Sequence, residues 1–140
     1  HNNGQLSDAQ VSVIETEKIK TFLNSSLYER IKKADKVYKE YKFMTGVDSS
    51  NFGGERTAND VVIIQGVSDC VLIEGDKATI IDYKTDYVKD ESALIDRYTI
   101  QLSIYRGAIE KMLAIPVTEC IIYSFSLGKE IRIEPDNSMF

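Results

Sequence analysis

Two aspartates and a lysine stand in an order that can do hydrolytic chemistry. Asp69 sits in "QGVSDCVL", and Asp82 and Lys84 sit in "ATIIDYKTD". Side chains two apart on a strand share a face, so Asp82 and Lys84 project together. Gly75-Asp76 between the two runs is a turn signal. Asp69 is six residues before Gly75 and Asp82 is six after Asp76, so a tight hairpin sets the two acids nearly opposite each other. Carboxylates that close repel unless a cation sits between them. Hard cations such as Mg²⁺ are held by one or two carboxylates with several waters. An ammonium on the same face can steady the charge that develops on a phosphate. The plainer alternative is a cross-strand salt bridge at a sheet margin, since charged strand ends are common. Against it, both acids are set in apolar runs, where a carboxylate is costly unless something binds it.

The elements that must position these residues can be read from periodicity. Residues 7–23 predict a helix, with Ser7 and Gln10 as a capping box and Val11, Ile14, Ile19, Phe22 and Leu23 at helical spacing. A short second helix starts at Ser25 or Ser26; Glu29 is in capping-box register with Ser26, and Leu27 and Ile31 share a face. The period-two run "KVYKEYKFMTG" predicts a strand, with Val37, Lys39, Tyr41 and Phe43 on one face and Tyr38, Glu40, Lys42 and Met44 on the other. Residues 48–60 read as an exposed loop and residues 61–84 as the hairpin. Residues 91–113 carry Leu94, Tyr98, Leu102, Tyr105, Ile109 and Met112 at helical spacing, and Pro116 marks the break. "TECIIYSFSL" and "KEIRI" predict two more strands, and "EPDNSMF" a frayed polar tail. A helix between the third and fourth strands permits a crossover, so the order predicts a mixed β-sheet flanked by helices.

The bulk properties narrow the function classes. At 140 residues, 43% hydrophobic and 28% charged, the chain reads as one ordinary globular domain. No apolar run approaches the ~20 residues of a membrane span. "HNNGQLSDAQ" has no signal-peptide pattern; a start on His1, the only histidine, reads as a tag remnant or an excised piece. Cys70 and Cys120 are too few and too far apart for a zinc or iron–sulfur site. Buried free thiols in a reducing cytosol are the better reading. A net charge of −5 argues against a free-standing DNA-binding module, but not against a nuclease with an acidic centre.

Three segments in order, "QGVSDCVL", "ATIIDYKTD" and "YTIQLSIYRGAI", resemble the RecB-type branch of the PD-(D/E)xK nuclease superfamily. Within it, they are most similar to the nuclease domains of bacterial AddAB helicase–nucleases. That pattern has a G-x-x-D strand, a D-Y-K-[ST] strand and a Q-L-x-x-Y helix. Here these are Gly66 to Asp69, Asp82 to Thr85 and Gln101 to Tyr105. The resemblance covers roughly residues 36 to 133; any one motif is weak, and three in order are specific.

The resemblance implies an α/β (α+β), restriction-endonuclease-like mixed sheet, with residues 1–35 a helical segment and 36–140 the nuclease core. It implies Asp69, Asp82 and the backbone carbonyl of Tyr83 as metal ligands and Lys84 as the catalytic lysine. Glu40 would assist metal or water placement, with an exposed strand residue as the alternative. Gln101 and Tyr105 would face the DNA and the catalytic centre; for Tyr105 the alternative is core packing, while Gln101 inside an apolar stripe needs a partner. Asp86, past the strand end, reads as a solvated loop acid. The implied activity is that of a Mg²⁺-dependent DNA exonuclease, with Mn²⁺ able to substitute. It would serve a bacterial cytoplasmic helicase–nuclease that processes double-strand breaks for recombinational repair. ATP would serve only the helicase part, which would deliver a single DNA strand, and an AddB-like protein would be the partner; no membrane is involved. Alternatives are another nuclease of the superfamily, such as a phage-type exonuclease, or a catalytically silent scaffold. Iron–sulfur versions need four cysteines and are disfavoured. One departure stands out: the upstream helix with a metal-binding histidine has no counterpart here. The expectation is therefore a fragment short of one ligand, which binds metal weakly and cleaves poorly.

Overall fold

The computed structural model describes residues 8–48 and 61–135. Helices α1 (Asp8–Leu23) and α2 (Ser26–Lys33) precede strands β1 (Lys36–Asp48), β2 (Val61–Glu74) and β3 (Lys77–Lys84). Helix α3 (Glu91–Leu113) and strands β4 (Val117–Ser124) and β5 (Lys129–Ile133) follow. The expected capping Ser7, the loop from residue 49 to 60, and residues 136–140 of the polar tail lie outside the described residues.

The five strands form one sheet in chain order. β1–β2, β2–β3 and β4–β5 pair antiparallel, and β3–β4 pair parallel. A parallel pair needs a crossover, and α3 supplies it. The mixed sheet with flanking helices expected from the sequence is therefore the fold observed.

The sheet is covered on both sides. Val71, Ile80 and Ile122 pack with Leu94, Leu102 and Ile109 of α3. Leu72, Ile81 and Ile121 pack on the other side with Leu27 of α2 and Phe22 of α1. Neighbours such as Ile80 and Ile81 are thus buried on opposite faces, which is why β3 and β4 read as unbroken apolar runs rather than alternating ones.

Local chemistry fixes the helices. Ser25 caps α2, its hydroxyl oxygen accepting the Tyr28 amide hydrogen at 3.1 Å. Arg30 ties that helix to the sheet: Nη2 donates to Glu74 at 2.7 Å, Glu119 at 2.6 Å and Thr79 at 3.1 Å. Helix α3 ends at Ala114 in the left-handed region (φ 56°), whose amide donates to the Glu110 carbonyl.

Three differences from the sequence reading have physical causes. Ile14 and Ile19 of α1 are exposed, so they do not mark a packed face; Phe22 of α1 packs against the core. The fourth strand stops at Ser124, where the Gly128 amide closes a turn on the Ser124 carbonyl at 2.8 Å. Strand β1 does not alternate regularly. Val37 packs on the α2 side, while Tyr38, Tyr41 and Phe43 pack on the α3 side. The facing reverses at Glu40, which has φ 53°. That backbone turns the chain without adding a residue, since Lys39↔Cys70 and Tyr41↔Ser68 stay in register around it.

Candidate active site

The site is built where β2 and β3 part. Their ladder runs from the Gly75-Asp76 turn to the pair Cys70↔Ile81. One step further, that register sets Asp69 opposite Asp82. The Asp69 carboxylate accepts the Tyr83 amide hydrogen at 2.9 Å, so a side chain takes the place of a ladder carbonyl there.

Asp82 is buried, 5% exposed, on the α3 side of the sheet. Lys84 lies two residues on, its Nζ 2.8 Å from Asp82 Oδ2. The approach is electrostatic: Oδ2 is fully buried and accepts no hydrogen bond of good geometry. Burial first, then the hydrogen-bonding contact with Asp69, push the Asp82 carboxyl up to about 6, while Lys84 pulls the other way. Burial works against the Lys84 charge, but the ion pair with Asp82 outweighs it, and its pKa is raised.

The other candidates fall around this pair. The Tyr83 side chain points to the opposite face, against Phe22 and Phe125, while its backbone amide meets Asp69. Glu40 is exposed at the β1 kink, opposite Asp69 in the register. With Asp69 and Tyr83 it borders an aromatic-walled cavity of about 970 Å³, which Asp82 and Lys84 do not line. Among the described residues, no three His, Cys, Asp or Glu side chains converge as a metal cluster.

Gln101 and Tyr105 meet on α3, Gln101 Nε2 donating to Tyr105 Oη at 3.1 Å. That bond gives the Gln the partner its apolar setting requires. The Tyr105 ring also packs edge-on against Phe43, with centroids 4.8 Å apart. Both close over Gly66: a Cβ there would lie 2.9 Å from Phe43 Cζ and 3.2 Å from Tyr105 Oη. The glycine of the G-x-x-D segment is thus a packing requirement of the wall beside the acids.

Two residues that sequence reasoning set aside belong to the same surroundings. Tyr98, read as part of the apolar stripe of α3, holds the Lys84 ammonium 4.0 Å from its ring centroid. Its hydroxyl donates to Asp86 at 2.7 Å, and Arg97 donates to the same carboxylate at 3.1 Å. Asp86 is therefore not a freely solvated loop acid: the Tyr98 hydroxyl and Arg97 draw its pKa down. The signal was the position of Tyr98, three before Gln101 and seven before Tyr105 on one helix face.

The chain belongs to the PD-(D/E)XK nuclease superfamily, whose model matches residues 6–130. It is similar to one of the polypeptides of the ATP-dependent helicase/nuclease of Clostridium perfringens (strain SM101 / Type A), with 36% identity over 94% of this chain and 11% of that protein. The polypeptide of the same name from Geobacillus kaustophilus (strain HTA426) is 36% identical over 92% of this chain and 11% of its own length. The chain thus spans about a ninth of these relatives. A solved structure titled "Crystal structure of SSO0001" shares the fold, with a TM-score of 0.52 and 17% identity over 92% of this chain and 52% of the other. No helix among the described residues is long and apolar enough to cross a membrane.

Proposed function

We propose that this chain hydrolyses phosphodiester bonds of DNA, as the nuclease domain of a helicase–nuclease that processes double-strand breaks for recombinational repair. One observation carries the reading. Asp82 is a buried carboxylate opposed to a second carboxylate, with the Lys84 ammonium 2.8 Å from its Oδ2 and its own pKa raised by burial and Asp69. A fold keeps such a group at a cost unless a cation binds it.

The donor set fits a hard divalent cation. Asp69, Asp82 and the Tyr83 carbonyl offer oxygen, and Mg²⁺ accepts one or two carboxylates with waters filling the remainder. Mn²⁺ suits the same oxygens. When bound, the cation would polarise the phosphate and lower the pKa of a water beside it. The chain's own residues do the rest. Asp69 and Asp82 fix where the phosphate must come. Lys84 sets a positive charge on the same face as Asp82, against the charge that develops on the phosphate. Exposed Glu40 lies opposite Asp69 in the register but on a cavity that Asp82 and Lys84 do not line, so any part it takes with water runs through Asp69. Gln101 and Tyr105 hold the wall that the DNA meets. A silent scaffold would gain nothing from a buried Asp82 set against a second, half-buried carboxylate.

The larger setting belongs to the same proposal. A single DNA strand arrives from an ATP-driven motor elsewhere in the longer protein, and an AddB-like partner completes the complex. This fits the net charge of −5, because a domain that is handed its strand needs little phosphate affinity of its own. The two free, buried cysteines fit the bacterial cytoplasm. The test is degradation of labelled single-stranded DNA by the full-length protein with its partner. The proposal expects cleavage with Mg²⁺ or Mn²⁺ and none with excess chelator; cleavage that ignores the chelator contradicts it.

A further inference from the structure

We propose that Tyr98, anchored by Asp86, is the positioning residue for Lys84. The inference rests on the nuclease reading above. A lysine carries its charge on a flexible four-carbon stem, so something must fix where the ammonium stands. Two groups do so here: Asp82 Oδ2 at 2.8 Å and the Tyr98 ring at 4.0 Å from its centroid. The ring itself is held. Its hydroxyl donates to Asp86 Oδ2 at 2.7 Å, and Arg97 holds the same oxygen at 3.1 Å. The chain of contacts runs from the loop after β3, through α3, and back to the end of β3.

The two holds differ in what happens when the site is loaded. Asp82 is the group a cation would engage, and its attraction for Lys84 is then shared. The aromatic face competes for no cation ligand and stays available to the ammonium. Tyr98 would therefore still hold the Lys84 ammonium beside Asp82 if a cation took up the Asp82 carboxylate. Its hydroxyl bond to Asp86 stops the ring from swinging away with the exposed start of α3.

The test combines kinetics with a spectroscopic readout. Lys84 methylene protons beside the ring should be shifted upfield by its ring current, in the chain without DNA. That displacement should persist in Tyr98→Phe and vanish in Tyr98→Leu. In cleavage of single-stranded DNA by the full-length protein with its partner, Tyr98→Leu should lower kcat about tenfold with KM nearly unchanged. Tyr98→Phe, which keeps the ring but loses the hydroxyl, and Asp86→Ala, which removes the hydroxyl's acceptor, should each cost about threefold. Combining Tyr98→Leu with Lys84→Ala should be no worse than Lys84→Ala alone. If Tyr98→Leu does not fold, Asp86→Ala decides: unchanged kcat and unmoved Lys84 resonances overturn the proposal. Wild-type kcat in Tyr98→Leu, with Lys84→Ala inactive, overturns the clamp and leaves the nuclease reading standing. Full activity in Lys84→Ala overturns both.

Discussion

Asp69 accepts the Tyr83 amide hydrogen at 2.9 Å, just beyond the last ladder pair, Cys70↔Ile81. The same carboxylate therefore ends the hairpin and faces Asp82. The two duties can be separated. Asp69→Asn keeps a carbonyl oxygen for the amide and should fold with near-native stability, while losing divalent-cation binding. Asp69→Ala strands the amide and should cost a further ~1–2 kcal/mol. Thermal denaturation and a calorimetric Mn²⁺ titration of both variants check this; equal stabilities would show that the amide bond contributes nothing.

Asp82 makes a pH-dependent prediction for the cation-free protein. Burial and Asp69 hold its folded-state pKa at about 6, above the ordinary value of 3.8. The folded state then binds more protons than the unfolded state between those values, so stability falls as pH rises through the window. Asp82→Asn removes that loss. Its melting temperature should exceed that of the wild type at pH 8, and the gain should shrink toward pH 4. A gain that is flat with pH, or a loss at pH 8, would contradict the burial cost assigned to this carboxylate.

Gly66 should not tolerate a side chain. An added methyl group meets Phe43 and Tyr105 at 2.9 and 3.2 Å, and both rings are packed. Gly66→Ala should destabilise by ~1–3 kcal/mol through overpacking and should disturb the Gln101–Tyr105 bond. Pairing it with Tyr105→Leu should recover part of the loss, which denaturant unfolding can measure; no recovery would place the strain elsewhere.

Glu40 carries a backbone cost. Its φ of 53° is in the left-handed region, where a residue with a Cβ is disfavoured by ~1–2 kcal/mol and glycine is not. Glu40→Gly should therefore raise stability by about 1 kcal/mol while reducing nuclease activity. A variant that gains stability and keeps full activity would show that the acid has no part in the reaction.

Where the structure followed the sequence, local rules set it. The Gly75-Asp76 turn fixed the hairpin register, and with it the opposition of Asp69 and Asp82, because register is pinned by the turn. The α3 repeat and the stop before Pro116 were legible for the same local reason. What escaped was non-local. The facing of Val37 depended on the Glu40 kink, which no alternation pattern reveals. The partnership of Lys84 with Tyr98 joins a strand end to a helix residue 14 positions on, and no spacing rule predicts that contact. Asp86 looked solvated because the groups that bind it, Arg97 and Tyr98, come from the next element. Ile14 and Ile19 show the reverse error: apolar residues at helical spacing that stay exposed.

The proposed nuclease chemistry requires Asp82 and Lys84 to act together as one hydrolytic site. The most direct measurement is cleavage of single-stranded DNA with Mg²⁺ by the full-length protein with its partner, comparing wild type, Asp82→Ala and Lys84→Ala at matched folding. Each substitution should lower the rate by about 100-fold or more. The double variant should be scarcely slower than the worse single one. Wild-type cleavage by either single variant would contradict a joint role for the two residues.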